Sequence, residues 1–217
     1  MQVSNLVRGI YAILNDKDKA LKFNHDCLSN GQLESKAWLV DKLIEADFTS
    51  LGTVFLCAGW YGTLATMISE SIISFDKIYS FDIDDSCIWY AETFNRHLVI
   101  DNWKFKASAV DILTIEYPFT WLTLKSNKNF ARMSVTPDTI INTSCEHILD
   151  FKKWFDKIPN GTKVILQSNN LDIPEHVNKV NSIEEFVAMC PLTTYVIAEG
   201  KKMEKMEYTR YLIVGIK

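Results

Sequence analysis

The chain has 217 residues, 47% of them hydrophobic and 12% aromatic, with 23 basic and 27 acidic side chains and a formal charge of −4. These values exclude a disordered chain, which could not keep so many aromatic residues in water, and they supply a core for one large α/β domain. The acidic balance argues against a protein that grips nucleic acid through bulk charge.

The first fifty residues read as helices. Leu6, Ile10, Ile13 and Leu14 share one face, and Leu33, Ala37, Trp38, Val40 and Leu43 recur at helical spacing after a break at Ser29-Asn30-Gly31. The pattern changes at Thr53. Val54 to Ala58 is a continuous apolar run, as expected of a strand covered on both faces. Thr63 to Ser71 reads as a helix, Lys77 to Phe81 as a second strand ending at Asp82, and Asp84 to His97 as a second helix capped by Asp84 or Asp85. Further strands are expected at 102–107, 139–142 and 162–167, with a helix over 148–157. Thr194 to Ala198 and Tyr208 to Ile216 are strand-like, and the charged segment Glu199 to Glu207 between them leaves no room for a helix. The fold class is therefore α/β: a doubly wound, mostly parallel sheet closed by an antiparallel C-terminal hairpin. An N-terminal helical cap (1–50) precedes the core (51–217) within a single domain, 1–217.

No run of about 18 apolar residues appears, so no membrane span is expected. Met1 to Asn15 is interrupted by Arg8 and lacks a small-residue cleavage pattern, which does not fit a secretion signal. Cys27, Cys57, Cys87, Cys145 and Cys190 are odd in number, widely spaced and never in a C-x-x-C, so a cytoplasmic location is expected.

Chemistry concentrates at the ends of the predicted strands. Ala58-Gly59-Trp60-Tyr61-Gly62 follows the first, and its two glycines allow a tight turn and close approach of a ligand to the backbone. Asp82, ending the second, can accept both hydroxyls of a ribose across the sheet edge. Asp111, after the third, can face an adenine amino group while Ile83 and Ile112 flank the ring. After the fourth comes Asn142-Thr143-Ser144-Cys145-Glu146-His147. There Asn142 and Ser144 are candidates for positioning a substrate, and Glu146 or His147 for taking a proton. Ordinary turn and capping roles fit each of these residues as well. Cys145 near His147 lacks an orienting third group for a nucleophile. His25-Asp26-Cys27 has no second pair at zinc-ligand spacing, so no metal is expected.

The glycine turn, the acid ending strand two and the acid after strand three together resemble the class I S-adenosylmethionine-dependent methyltransferases, over about Thr53 to Lys217. The segments Gly59–Gly62 and Asn142–His147 are similar to methyltransferases of bacteriophage type. The resemblance implies a Rossmann-like core and S-adenosyl-L-methionine as cofactor. It places Ala58, Gly59, Trp60, Tyr61, Gly62, Asp82, Ile83, Asp111, Ile112, Asn142 and Ser144 at that cofactor, and Glu146, His147 and Asn142 at the transferred methyl group. The chain departs from the family pattern, an acid followed by G-x-G-x-G: aligned on Gly62, it has Leu56 at the acidic place, Ala58 at the first glycine and Trp60 at the second. NAD fits less well, since the turn is not G-x-G-x-x-G.

The acceptor is expected to be a small molecule rather than nucleic acid, because the [DN]-P-P-[YF] segment common in amine-methylating enzymes agrees here only at Asn142. Lys125, Lys128 and Arg132 read as a solvated connection, with contact to an anionic substrate as the alternative. Gln32, Ser35 and Lys36, and Gln167 to Asn170, are further candidates for shaping the site. Aminocarboxypropyl transfer and a non-catalytic module are the remaining alternatives to methyl transfer.

Overall fold

The structure is a computed structural model, described here for residues 4–124, 129–203 and 207–217. Three helices lead the chain, α1 (Ser4–Leu14), α2 (Lys17–Lys22) and α3 (Asn30–Glu45). Strands and helices then alternate: β1 (Thr53–Cys57), α4 (Thr63–Ser69), β2 (Lys77–Asp82), α5 (Cys87–Phe94), α6 (Arg96–Ile100) and β3 (Phe105–Ala109). The hairpin β4 (Phe119–Leu124) and β5 (Phe130–Val135) follows, then β6 (Thr139–Asn142), α7 (Phe151–Lys157), β7 (Lys163–Asn169), α8 (Ile183–Met189), β8 (Thr194–Met203) and β9 (Tyr208–Ile216).

Seven strands form one sheet in the order β3-β2-β1-β6-β7-β9-β8. The first five are parallel, and β9 pairs antiparallel with both β7 and β8. The chain leaves β1 toward β2 on one side and returns to β6 on the other, which makes the β1/β6 boundary a topological switch point. Ligands of doubly wound sheets bind outside the carboxyl ends of the strands there. Cys57 and Asn142 lie side by side in register at that boundary.

Alternation along the central strands builds a core on each face. Val54 and Leu56 of β1 pack with Trp38, Leu39, Val40 and Leu43 of α3 and with Leu64 of α4. Phe55 and Cys57 pack with Trp154 and Phe155 of α7 and Phe186 of α8. Helix α3 is thus a layer of the core, and the expected division at residue 50 does not follow a packing boundary. The remaining cap packs as its own cluster, with Ile13, Phe23 and Cys27 against Tyr61, Tyr90 and Phe94.

Several expected boundaries move, each for a local reason. Leu14 is 55% exposed and does not share the buried face of Ile13. The expected break narrows to Ser29, the extended N-cap of α3, whose side chain accepts the Gln32 N–H, while Asn30 and Gly31 already belong to the helix. The helix expected over 84–97 is split at Asn95, and Ser86, not an aspartate, takes its N-cap position. Strand β3 begins at Phe105 because Asn102 and Trp103 stand at φ +54° and +56°, a left-handed turn that no strand tolerates. Strand β8 runs on through Met203 as the sheet's edge, where Lys201 pairs with Glu34 at 3.0 Å and Glu199 with Lys42 at 3.0 Å. Charged side chains suit an edge strand.

Candidate functional site

The glycine turn is built by conformation as much as by composition. Ala58 and Trp60 both stand in the left-handed region, at φ +51° and +46°, where the resembling family carries glycines. Gly59 lies against β2: a Cβ there would meet Ser80 Oγ at 2.2 Å. Gly62, at φ +66°, opens α4 and leaves room for Asn95, whose buried amide donates to Gly62 O at 3.0 Å and to Ala91 O at 2.9 Å. Leu56, at the place of the missing acid, is 2% exposed and belongs to the core.

Asp82 holds the turn to the sheet. Its Oδ2 accepts the Trp60 N–H at 2.8 Å and its Oδ1 the Asp84 N–H at 3.1 Å. Each carboxylate oxygen retains a lone pair for a ligand hydroxyl. Beside it Ile83 is 75% exposed, an apolar side chain standing off the strand end. Asp111 caps a short 3-10 turn over Ile112–Thr114 by accepting the Leu113 N–H at 2.9 Å, and Ile112 beneath it is buried. The Tyr61 side chain turns into the cap: its ring stacks on Phe23 and lies tilted against Tyr90, and its Oη accepts the Asn24 N–H. Only its backbone is left for a ligand.

Across the switch point lies a second, buried polar group. Asn142 is fully buried; its Oδ1 accepts the Ser144 N–H at 2.8 Å, while Nδ2 has no hydrogen-bond partner among the described residues. Glu146 is 2% exposed, and its Oε1 is held by the Asn169 amide and by Arg210 Nη1 at 3.4 Å. Arg210 also donates to Thr143 O at 3.1 Å and lies over the Tyr208 ring. Ser35 Oγ donates to Gln167 Oε1 at 3.1 Å and Gln167 returns a bond to Ser35 O, joining α3 to β7. Lys36 donates to Gln32 Oε1 at 2.5 Å, and burial, reinforced by Arg210, pulls its pKa down to about 8. Among the described residues, four of the six buried side-chain atoms without a hydrogen-bond partner are Asn142 Nδ2, Glu146 Oε2, Ser168 Oγ and Arg210 Nε, the others being Tyr117 Oη and Trp154 Nε1. Buried polar atoms in folded proteins are almost always paired, which makes this neighbourhood a candidate for contact with a ligand.

The architecture decides the fold. It is the Rossmann-like methyltransferase fold. The (4+2)-cyclase SpnF superposes with a TM-score of 0.63 at 8% identity, covering 99% of this chain and 96% of its own. The 1,6-didemethyltoxoflavin-N1-methyltransferase of Burkholderia thailandensis, solved with 1,6-didemethyltoxoflavin and S-adenosylhomocysteine, gives 0.59 at 11% identity over 97% of this chain and 90% of its own. The magnesium protoporphyrin IX methyltransferase of Synechocystis PCC 6803, solved with S-adenosylhomocysteine, gives 0.57 at 10% identity over 85% and 83%. By sequence the chain matches no protein-family model and no curated protein.

On this methyltransferase fold the remaining expectations sort clearly. Cys145 is buried, donates to Asn142 O, and burial pushes its thiol well above the ordinary range, so it is no thiolate nucleophile. Cys27 is buried in the cap, and His25 stands edge-on to Phe23. Arg132 is exposed on β5, while Lys125 and Lys128 lie outside the described residues. Among the described residues, no helix is long and apolar enough to cross a membrane.

Sequence reasoning missed Arg210 and His176. Arg210 is the one charge in the apolar run of β9, which is itself a signal. His176, on the loop after β7, has no motif around it.

Proposed function

We propose that the chain is an S-adenosyl-L-methionine-dependent methyltransferase acting on a small molecule, with the whole chain, 1–217, as one domain in the cytoplasm. The observation that carries this reading is the division of one strand edge at the switch point. An Asp82-anchored glycine turn lies on one side, and a buried, incompletely paired polar cluster around Glu146 and Arg210 lies on the other. The first suits a nucleoside cofactor, the second a polar acceptor. The bacteriophage-type resemblance rests on the segments 59–62 and 142–147. Five unpaired, buried cysteines support the cytoplasmic setting.

The residues fit the cofactor. Asp82 would accept the ribose hydroxyls, Asp111 would face the adenine amine, and Ile83 and Ile112 would flank the ring. The backbone from Ala58 to Gly62 would pass beneath the methionine portion, with Ser144 and Asn142 bordering it across the switch point. The bound cofactor supplies an electrophilic methyl group on its sulfonium. This chain's own task is then to hold the acceptor in line and exclude water, and orientation of this kind lowers a barrier by about 7–11 kcal/mol. Asn142, with its free Nδ2 hydrogens, would orient the acceptor by donating to it. Glu146 and His147 border the acceptor rather than the cofactor.

Calorimetry with S-adenosylhomocysteine, and with NAD as control, tests the reading: binding of the former without added metal is expected. Binding of NAD alone would overturn it. Because one structural neighbour is a cyclase, the reaction itself is read from product mass: a gain of one methylene unit in the acceptor distinguishes methyl transfer from aminocarboxypropyl transfer, and no turnover with cofactor bound would leave a non-catalytic module.

A further inference from the structure

We propose that Glu146, His147 and His176 bind a divalent first-row transition ion, of which Zn2+ is the physiological candidate, at the acceptor side of the sheet edge. The ligand atoms of the three side chains all lie within 4.8 Å of one another. The two imidazoles meet edge to face, with ring centroids 4.7 Å apart. Each is oriented by a main-chain carbonyl: His147 Nδ1 lies 3.0 Å from Glu175 O, and His176 Nδ1 lies 2.8 Å from Leu171 O. A carbonyl only accepts, so both Nδ1 atoms carry the proton and both Nε2 lone pairs are left free. That is the outer arrangement by which metal-binding histidines are fixed in tautomer and direction.

The carboxylate supplies an independent observation. Glu146 is 2% exposed; its Oε1 is engaged by Asn169 and Arg210, yet its Oε2 has no hydrogen-bond partner among the described residues. A buried carboxylate oxygen left unpaired is costly, and a cation is one of the few ligands that completes it. The loop that carries His176 is also tied to the turn that carries Glu146, because Asn178 N donates to Glu146 O at 2.9 Å and Asn178 Nδ2 to Cys145 O at 3.3 Å. The two histidines and the carboxylate therefore form one anchored unit. Ligand atoms around a tetrahedral ion with bonds of about 2.0 Å stand about 3.3 Å apart, so binding draws the half-buried His176 and the exposed His147 inward by rotation of their side chains.

Two imidazoles and one carboxylate select a borderline ion over Mg2+ or Ca2+, which prefer all-oxygen shells. They also leave coordination positions open. With the Arg210 guanidinium 3.4 Å from Glu146, those positions favour an anionic oxygen ligand. His147 would then act as a metal ligand and not as a proton acceptor.

The test uses the full-length protein freed of metal with chelator and titrated with Co2+ alone, followed by its visible absorption bands and by calorimetry. One Co2+ per chain, bound tighter than about 10 μM and displaced by Zn2+, is expected. His147→Ala and His176→Ala, both at accessible side chains, should each weaken binding by at least about 100-fold. His25→Ala and His97→Ala should leave it unchanged. Circular dichroism establishes that each variant is folded. Absence of one-to-one binding, or equal affinity in wild type, His147→Ala and His176→Ala, would overturn the proposal. S-adenosylhomocysteine titrated into the same samples reads the cofactor side separately, so failure of the methyltransferase reading and failure of the metal site are distinguishable.

Discussion

Trp60 donates its backbone N–H to Asp82 Oδ2 at 2.8 Å, so the tip of the glycine turn is fastened to the end of the second strand. Trp60 stands at φ +46°, a conformation that costs a residue with a side chain about 1–2 kcal/mol, and the bond to the carboxylate helps hold it there. Asp82 therefore shapes the turn as well as facing the proposed ribose, and alanine at this place would test two things at once.

Asp82→Asn separates them. An amide oxygen can still accept the Trp60 N–H, but the charge offered to a ribose is gone. S-adenosylhomocysteine affinity should fall at least about tenfold, because a hydrogen bond to an ionised group contributes about 1.5–3 kcal/mol. Thermal unfolding should shift far less than in Asp82→Ala. Calorimetry and unfolding on the same samples read both effects, and unchanged affinity would remove Asp82 from the cofactor site.

Gly59 makes a purely steric prediction. A Cβ would meet Ser80 Oγ at 2.2 Å, with Leu56 Cγ next at 3.1 Å. Gly59→Ala should destabilise the fold by about 1–3 kcal/mol, the usual cost of overpacking. Ser80→Ala removes the offending oxygen, so the double variant should recover most of that loss. Denaturant midpoints of the four proteins in this cycle measure the coupling, and additive effects would place the strain elsewhere.

The difference between what was legible and what was not follows the range of each interaction. Strand β1 announces itself because it is covered on both faces and so reads as an unbroken apolar run from Val54, while the short β6 shows only Ile140 and Ile141 between two polar residues. Gly59 after β1, Asp82 at the end of β2 and Asn142 at the end of β6 follow from placing the strands. The β4–β5 hairpin was hidden because no Asn-Gly or Asp-Gly pair marks its sequence, and the second half of β8, 199–203, because its edge position admits charges that read as a loop. Asn95 looks like an ordinary helix residue until the fold brings Gly62 O to its amide. The cluster of Glu146 with Asn169, Arg210 and His176 joins three separate segments. No local spacing encodes such a meeting.

Lys36 makes a prediction about pH. Burial, with Arg210 nearby, lowers its pKa from 10.5 to about 8. Below about pH 8 the folded and unfolded chains both carry the proton, and the folded chain bears the cost of a buried charge. Between about 8 and 10.5 the unfolded chain binds more protons, so this group's contribution to stability rises with pH. The stability of wild type relative to Lys36→Met should therefore climb across that window, by up to about 3 kcal/mol. The thiols of Cys57 and Cys145, raised by burial, act in the opposite direction once the unfolded chain's cysteines ionise. The difference between the two proteins is thus the readout, and a constant difference from pH 7 to 10.5 would refute the assignment.

The pair Arg210 and Glu146 carries the last prediction. Both side chains are buried, 6% and 2% exposed, and their charges lie 3.4 Å apart. Removing one partner of a buried pair leaves the other charge uncompensated, which typically costs about 3–5 kcal/mol, whereas replacing both by neutral groups of similar volume is often tolerated. Arg210→Met should therefore destabilise strongly, and adding Glu146→Gln should recover more than half of the loss. The Gln side chain still accepts the Asn169 amide, which preserves the local hydrogen bond. Because this pair stands across the switch point from Asp82, the double variant should bind S-adenosylhomocysteine within about threefold of wild type, a difference of less than about 1 kcal/mol. Turnover should be lost, since the polar surface offered to an acceptor has been erased. A double variant that is stable but has lost the cofactor would show that Arg210 and Glu146 belong to the cofactor side of the edge and not to the acceptor side.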